Sequence, residues 1–362
     1  MKDRLRIGID GRILGARPKG IARYIWELCK GLDEILPHAE FFLYSPEPTN
    51  LLPISNRWHE RVETGWARQL PNSLWAVTRP GHLARYDSLD VFWGGTGLLP
   101  LIGPSTRSVL TVHDLVYKLI PESMSFRARI TMKLFFERSL ARADTIVANS
   151  RGTADRLRAA LGYEAAATVR PGVSSQFRPE PEHRIRAVLE KRALKRPYLL
   201  GVGTVEPRKN LDTLIRTFCN LQAQSHLSDY SLVLAGDRGW RDGGLLKQLN
   251  RSGTRVSWLG FVEDEELPAL YSGCSAFVFP SKYEGFGMPV LEARACGARV
   301  VTTDCPELRE AGGPDVTYVA PNETGLAEGI LLALATSEKT VRNSREHSWA
   351  ASSAILAAAM AD

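Results

Sequence analysis

The sequence predicts an α/β protein made of two doubly wound domains. Three observations carry this. Short apolar runs of strand length alternate with helical patterns along the whole chain, and that alternation builds βαβ units around a parallel sheet. Several of the runs, Ala276-Phe277-Val278-Phe279 among them, are apolar without a polar alternate, as expected of strands covered on both faces. The length, 362 residues, suits two domains at roughly 150 residues each.

In the first half the expected strands are Leu5–Ile9, Phe41–Tyr44, Val91–Trp93, Ser108–Val112, Thr145–Ala148 and Thr168–Val169. Apolar residues at helical spacing fall between them at Ile21–Asp33, Phe126–Arg142 and Gly152–Leu161. In the second half the strands are Tyr198–Val202, Ser231–Ala235, Val256–Leu259, Ala276–Phe279, Arg299–Thr302 and Thr317–Val319. The helices between them are Leu211–Gln224, Glu265–Ser272, Pro289–Cys296 and Leu326–Ala335. The Pro-rich, charged run Arg178-Pro179-Glu180-Pro181-Glu182-His183 marks a break. The expected plan is a first domain at 1–180, a linker with a covering helix at 181–196, a second domain at 197–340 and a terminal helix at 341–362. Trp349 is the one large anchor of that Ala-rich helix.

Composition narrows the class. Apolar residues make up 44% and charged residues 24%, which excludes collagen-like, disordered and disulfide-scaffold chains. No apolar run reaches the roughly 18 residues of a membrane span. Charges in MKDRLRIGIDGR interrupt any signal-peptide core, so a cytoplasmic location is expected. Five cysteines, an odd number without Cys-x-x-Cys spacing, make a disulfide framework or structural zinc unexpected. The net charge of +6 is unevenly placed. Residues 1–180 hold 25 Lys and Arg against 18 Asp and Glu, and residues 181–362 hold 21 against 22. A basic first half suits an anionic partner: nucleic acid, a membrane surface or a phosphorylated acceptor. A solvated basic face without a partner is the plainer alternative. The cations lack the interleaved aromatics of a nucleic-acid module, so no nucleic acid is expected.

Chemistry concentrates just after strands. Phe279-Pro280-Ser281-Lys282-Tyr283-Glu284-Gly285-Phe286-Gly287-Met288-Pro289-Val290-Leu291-Glu292 leaves a buried strand and opens a helix. Gly285 and Gly287 let the backbone turn sharply, and Pro289 suits a helix start. Unpartnered N–H groups near Val290 and Leu291, with the helix dipole, would favour a phosphate. Glu284 and Glu292 bracket the turn, and carboxylates accept hydrogen bonds from sugar hydroxyls. Together these features suit a nucleotide sugar. The second segment, Gly203-Thr204-Val205-Glu206-Pro207-Arg208-Lys209-Asn210, also follows a strand. It is neither a full dinucleotide fingerprint nor a Walker loop. Its Arg208-Lys209 pair could neutralise a diphosphate, and Asn210 could cap the next helix. With no Asp-x-Asp motif in the chain, no metal is expected at this site. In the first half, His113-Asp114 follow a strand, and Gly20-Ile21-Ala22-Arg23-Tyr24 open a helix. Gly20, Arg23, Tyr24, His113 and Asp114 are the candidates for the acceptor side.

Taken together, Gly20-Ile21-Ala22-Arg23-Tyr24, Thr111-Val112-His113-Asp114-Leu115, Asn149-Ser150, Arg170-Pro171-Gly172-Val173 and the two second-half segments resemble the retaining glycosyltransferases of family GT4. The resemblance covers nearly the whole chain and implies the GT-B fold. It also implies a donor site at Gly203, Thr204, Arg208, Lys209, Glu284, Gly285, Phe286, Gly287, Met288, Val290, Leu291 and Glu292. His113, Arg208, Lys209 and Glu284 would be the catalytic residues, with Glu284 and Glu292 matching the family's Glu-x7-Glu pair. No cofactor is implied beyond the donor, for which a GDP-sugar is favoured. The implied partners are that donor and a glycan or lipid-diphosphate-linked acceptor, with peripheral contact to an anionic inner membrane. Among members, the chain is most similar to bacterial mannosyl- and rhamnosyltransferases of surface polysaccharide synthesis. The residue at Arg294 departs from the small or apolar side chain usual there and is expected to reach solvent. Two rivals share the architecture: a nucleotide-sugar 2-epimerase, and a non-catalytic protein that binds nucleotide or glycan.

Overall fold

The computed structural model describes residues 5–15, 20–49, 51, 54–239, 255–336 and 347–361. The chain divides into two compact units, one comprising 1–172 with 347–362 and the other 173–346.

The first unit runs β1 (Arg6–Asp10), α1 (Ile21–Ile35), β2 (Glu40–Ser45), β3 (Trp58–Val62), α2 (Asn72–Leu83), β4 (Val91–Gly94), β5 (Arg107–Val112), α3 (Phe126–Arg142), β6 (Thr145–Ala148), α4 (Arg151–Leu161) and β7 (Ala167–Thr168). Among the described residues seven strands form one sheet, in the order β3-β2-β1-β4-β5-β6-β7. All pairs are parallel, with Ile7 opposite both Phe41 and Val91. Strands β2, β4, β5 and β6 send alternate side chains to two cores. Ile7, Ile9, Val91 and Trp93 pack under α1, and Phe42, Tyr44, Phe92 and Leu110 pack against Trp75, Phe136 and Leu140. That double cover is why the strands read as unbroken apolar runs.

The second unit runs α5 (Glu182–Lys191), β8 (Tyr198–Val202), α6 (Leu211–Ala223), β9 (Ser231–Ala235), β10 (Val256–Trp258), α7 (Leu267–Gly273), β11 (Ala276–Phe279), α8 (Met288–Ala295), β12 (Val300–Thr303), α9 (Pro306–Gly312), β13 (Thr317–Val319) and α10 (Glu323–Ala335). Its described strands form a second parallel sheet, β10-β9-β8-β11-β12-β13. Phe277 and Phe279 fill one face, and Ala276 and Val278 the other. The chain then returns to the first unit as α11 (Trp349–Ala361). Leu356 and Met360 of α11 join the α1 core, and Gly31 leaves the room that the Ser353 side chain occupies.

The boundary differs from the expected one at 180. Phe177 already belongs to the core of the second unit, and so do Ile185, Val188 and Leu189 of α5. Residues 181–196 therefore pack as a covering helix of the second unit, and the terminal helix as part of the first. Residues 341–346 of the expected terminal helix lie outside the described residues. Three elements carried too weak a sequence pattern to be expected. The edge strand β3, Trp-His-Glu-Arg-Val, is largely polar and only partly buried; α2 contains Pro80; and α9 spans only 7 residues.

Candidate active site

In a doubly wound sheet a crevice opens where two neighbouring strands send their following loops in opposite directions, and ligands bind at the carboxyl ends there. In the second unit that point lies between β8 and β11. The two strongest sequence segments follow these two strands.

The fold stitches the loops together. Lys282 N donates to Arg208 O at 2.9 Å. Asn210 Nδ2 donates to Pro280 O and Pro321 O, both at 3.1 Å, and Asn210 Oδ1 accepts from Thr213 Oγ1 at 2.8 Å. Asn210 sits at the first boundary of α6 in the left-handed region (φ 56°) and makes no side-chain cap bond to the helix. The expected cap is thus a bracket between three loops, because the backbone turn points the amide away from the helix N–H groups.

This bracket sets the charged cluster. Arg208 Nη1 donates to Tyr283 O and to Glu284 Oε2, both at 2.9 Å, and Arg208 Nη2 donates to Glu206 Oε1 at 2.6 Å. Lys209 Nζ donates to Glu284 Oε1 at 2.6 Å and lies 5.1 Å from the Phe279 ring centroid. Two cations thus share one buried carboxylate. Burial works against the Glu284 charge, but the Arg208 and Lys209 charges outweigh it and hold its pKa down to about 2. Burial pulls the Lys209 ammonium below its usual range, with Glu284 opposing. The sequence expectation brought Arg208, Lys209 and Glu284 to one point, and the structure does so. It did not anticipate Glu206 as a second carboxylate on Arg208.

Helix α8 starts at Met288 behind Gly287, whose φ of 104° favours glycine and whose Cβ would meet Leu308 Cδ2 at 2.5 Å. The N–H groups of Val290 and Leu291 are not unpartnered as expected. Both donate to Gly287 O, at 3.0 and 3.4 Å, because the helix opens with a tight turn. The Val290 and Leu291 side chains, like Phe286, lie in the core. Glu292 is buried and accepts from Tyr271 Oη at 3.3 Å. Gly203 and Thr204 follow β8 directly, and the Thr204 side chain is exposed. Arg294 does not reach free into solvent: its Nη1 donates to Ala311 O at 3.0 Å.

The first unit has its own switch point, between β1 and β4. Asp10 and Arg12 follow β1, and Thr96 follows β4. Arg12 Nη1 pairs with Asp10 Oδ2 at 3.0 Å, Arg12 Nη2 donates to Thr96 Oγ1 at 2.7 Å, and Thr96 Oγ1 donates to Asp10 Oδ2 at 2.5 Å. Sequence reasoning passed over this trio, although its place after β1 was a usable signal. One strand further, His113 is buried and its Nε2 meets Gly95 O at 2.6 Å. A carbonyl only accepts, so Nε2 carries the proton and Nδ1 the lone pair. Burial holds the His113 pKa below the usual range, with the Gly95 carbonyl and Asp114 opposing.

Two acceptor-side candidates have structural posts. Tyr24 is buried in the α1 core, its hydroxyl donates to Val169 O at 2.8 Å, and its ring meets His113 edge-on at 5.1 Å. With its hydroxyl engaged inside the core, Tyr24 offers no group to an acceptor. Asp114 Oδ1 accepts from Val116 N at 3.1 Å and starts the short turn Val116–Leu119. Gly20 begins α1 at a φ of 53° with open space around it, and Arg23 is half-buried on the first turn of that helix within the same unit. Asn149, after β6, keeps Oδ1 buried without a hydrogen-bond partner among the described residues. Among those residues no group of three His, Cys, Asp or Glu side chains is placed to hold a metal ion, and no helix is long and apolar enough to cross a membrane.

Two family profiles match the chain: Glycosyltransferase Family 4 over residues 18–177 and Glycosyl transferases group 1 over residues 184–347. Over 233 residues the chain is 36% identical to O-antigen chain mannosyltransferase B of Escherichia coli. That stretch is 62% of this chain and 60% of the relative, less than two thirds of its length. Over 280 residues the chain is 28% identical to a GDP-mannose-dependent alpha-(1-6)-phosphatidylinositol monomannoside mannosyltransferase of Mycolicibacterium smegmatis, covering 71% of this chain and 67% of that one. The fold is that of sucrose-phosphate synthase from Thermosynechococcus elongatus, with a TM-score of 0.75 at 20% identity and 98% of both chains covered. Two parallel-sheet units, a polar cluster at each switch point and these matches converge: the chain belongs to the GT4 family of glycosyltransferases and has the GT-B fold.

Proposed function

We propose that the protein is a retaining hexosyltransferase, of the mannose or rhamnose type. It moves a sugar from a GDP-sugar to a glycan or lipid-diphosphate-linked acceptor during bacterial surface-polysaccharide synthesis. One observation carries the reading: Arg208 and Lys209, partly buried and balanced by the buried Glu284, meet at the switch point of the second unit. A cation pair fixed there can receive a diphosphate, whose charge takes over part of the balancing that Glu284 and Glu206 perform. The kinship with a GDP-mannose-dependent enzyme supports the choice of nucleotide.

On this reading the donor diphosphate lies against Arg208 and Lys209, with the start of α8 beside it. Glu284 and Glu292 accept hydrogen bonds from donor hydroxyls. The bond from the anomeric carbon to the diphosphate breaks with its electron pair leaving on the phosphate oxygen. Arg208 and Lys209 stabilise that developing charge, so no metal or further cofactor is required. The acceptor oxygen bonds to the anomeric carbon on the same face, and its proton passes to the departing diphosphate. His113, neutral and held by Gly95 O, orients the acceptor side.

A thermal-shift screen against GDP, UDP, dTDP and ADP, with and without EDTA, tests this. One nucleotide should raise the melting temperature regardless of EDTA, and Arg208→Ala should abolish that shift. Stabilisation by no nucleotide, or an undiminished shift in Arg208→Ala, would overturn the reading.

A further inference from the structure

Trp66 stands 77% exposed on the short turn Trp66–Gln69 that follows β3. No aromatic ring or guanidinium among the described residues stacks on it. An indole left in water forgoes the burial that a large aromatic side chain supplies to a core. The turn beneath it is nevertheless braced. Ala67 is buried, Gly65 N donates to Glu63 Oε1 at 3.4 Å, and Glu63 N donates to Ser45 O at 3.0 Å. The buried Glu63 carboxylate also pairs with Arg79 of α2 at 2.7 Å. A fixed turn therefore presents Trp66 outward.

Its place is at the ligand-binding end of the sheet. Trp66 follows β3 and Glu47 follows β2, so both stand at carboxyl ends of strands, the end that also carries Asp10, Arg12 and Thr96. Tyr86 is equally exposed but precedes β4, at the opposite end. Arg68, on the turn with Trp66, donates from Nη2 to Glu47 Oε1 at 2.8 Å, and both side chains are exposed. Glu47 and Glu63 answer Arg68 and Arg79, so this edge has no excess of cations for a phosphate surface. An open aromatic face with a guanidinium and a carboxylate on the same edge suits a carbohydrate. The C–H face of a sugar ring lies on the indole, and hydroxyls bond to Arg68 and Glu47. Strand β3 lies two strands from β1, about 10 Å at the usual strand spacing. That is more than one sugar ring spans.

We propose that Trp66, with Arg68 and Glu47, forms a glycan subsite that grips an acceptor chain behind the sugar being extended. The proposal rests on the reading of a glycan acceptor and deepens it. The subsite makes the enzyme favour acceptors of several sugars over short ones, and it uses no residue of the donor cluster.

The full chain labelled with fluorotryptophan tests it, the Trp66 resonance being identified by its loss in Trp66→Phe. Without nucleotide, α-mannopentaose should move that resonance and mannose should not. Transfer kinetics from GDP-mannose give a second readout. Trp66→Ala should raise KM for mannopentaose about tenfold, to that of mannobiose, while kcat and the KM for mannobiose stay unchanged. Trp66→Tyr keeps an aromatic face and should restore most of the length preference. Equal effects of Trp66→Ala on both acceptors, or a Trp66 resonance that mannopentaose leaves in place, would overturn the proposal. So would a resonance that phosphatidylglycerol vesicles move and mannopentaose does not, which would assign the turn to lipid. A resonance shifted by mannopentaose in a protein that transfers nothing from GDP-mannose would leave the subsite standing and defeat the donor reading alone.

Discussion

Glu284→Gln removes one negative charge from between two cations and leaves the side chain nearly isosteric. The Glu284 pKa falls from its ordinary 4.5 to about 2. At about 1.4 kcal/mol per pKa unit, that depression is worth about 3 kcal/mol of folding stability. Removing one partner of a buried ion pair gives a similar figure, about 3–5 kcal/mol. Lys209, already held low by burial, would shed its proton more readily in the variant and trim the cost. The sign follows from the direction. A carboxylate with a lowered folded-state pKa stabilises fully above its unfolded value near 4.5 and loses that contribution as the pH falls towards 2. Glutamine resembles the protonated acid, so the gap between variant and wild type should be widest near neutrality and about half as large near pH 3.5. Calorimetric unfolding at about pH 7, 5 and 3.5 measures it, and a saturating nucleoside diphosphate should narrow it at neutrality by supplying the missing charge. Equal stability of the two proteins near pH 7, or a gap that does not change on acidification, would refute the reasoning.

Two further outcomes test the first unit. His113 is held neutral by burial, so its contribution should be present above its unfolded pKa near 6.5 and decline as the pH drops, by up to about 1.4 kcal/mol per pH unit. His113→Gln can keep a donor for Gly95 O while losing that slope, and stability curves between about pH 7 and 5 would show whether it does. Tyr24→Phe deletes the bond to Val169 O and should cost about 1–2 kcal/mol while leaving transfer kinetics unchanged. A slower transfer at unchanged stability would return Tyr24 to the acceptor site.

Much of the fold and part of the site were written locally in the chain. Strands such as Ala276–Phe279 were legible because both their faces are covered, which leaves no polar alternate. The charged cluster was legible because loops after parallel strands converge at one end of the sheet, so Arg208, Lys209 and Glu284 could be paired from position alone. The apolar spacing of α3 was also present in the letters, but exposure decides whether Phe126, Ile130 and Leu134 belong to the core or to the surface.

What the sequence determined by itself were quantities fixed by local spacing: element type, glycine turns, and which segments follow strands. Only the tertiary structure decided who answers whom. It turned Asn210 from a cap into a bracket, sent the Val290 and Leu291 N–H groups back to Gly287, placed Tyr24 in the core and gave Arg208 a second carboxylate in Glu206. It also returned the last helix to the first unit, a pairing of residues far apart in sequence. Hydrogen bonds and ion pairs act over about 3 Å, and distance along the chain says little about distance in space once the chain has crossed between strands.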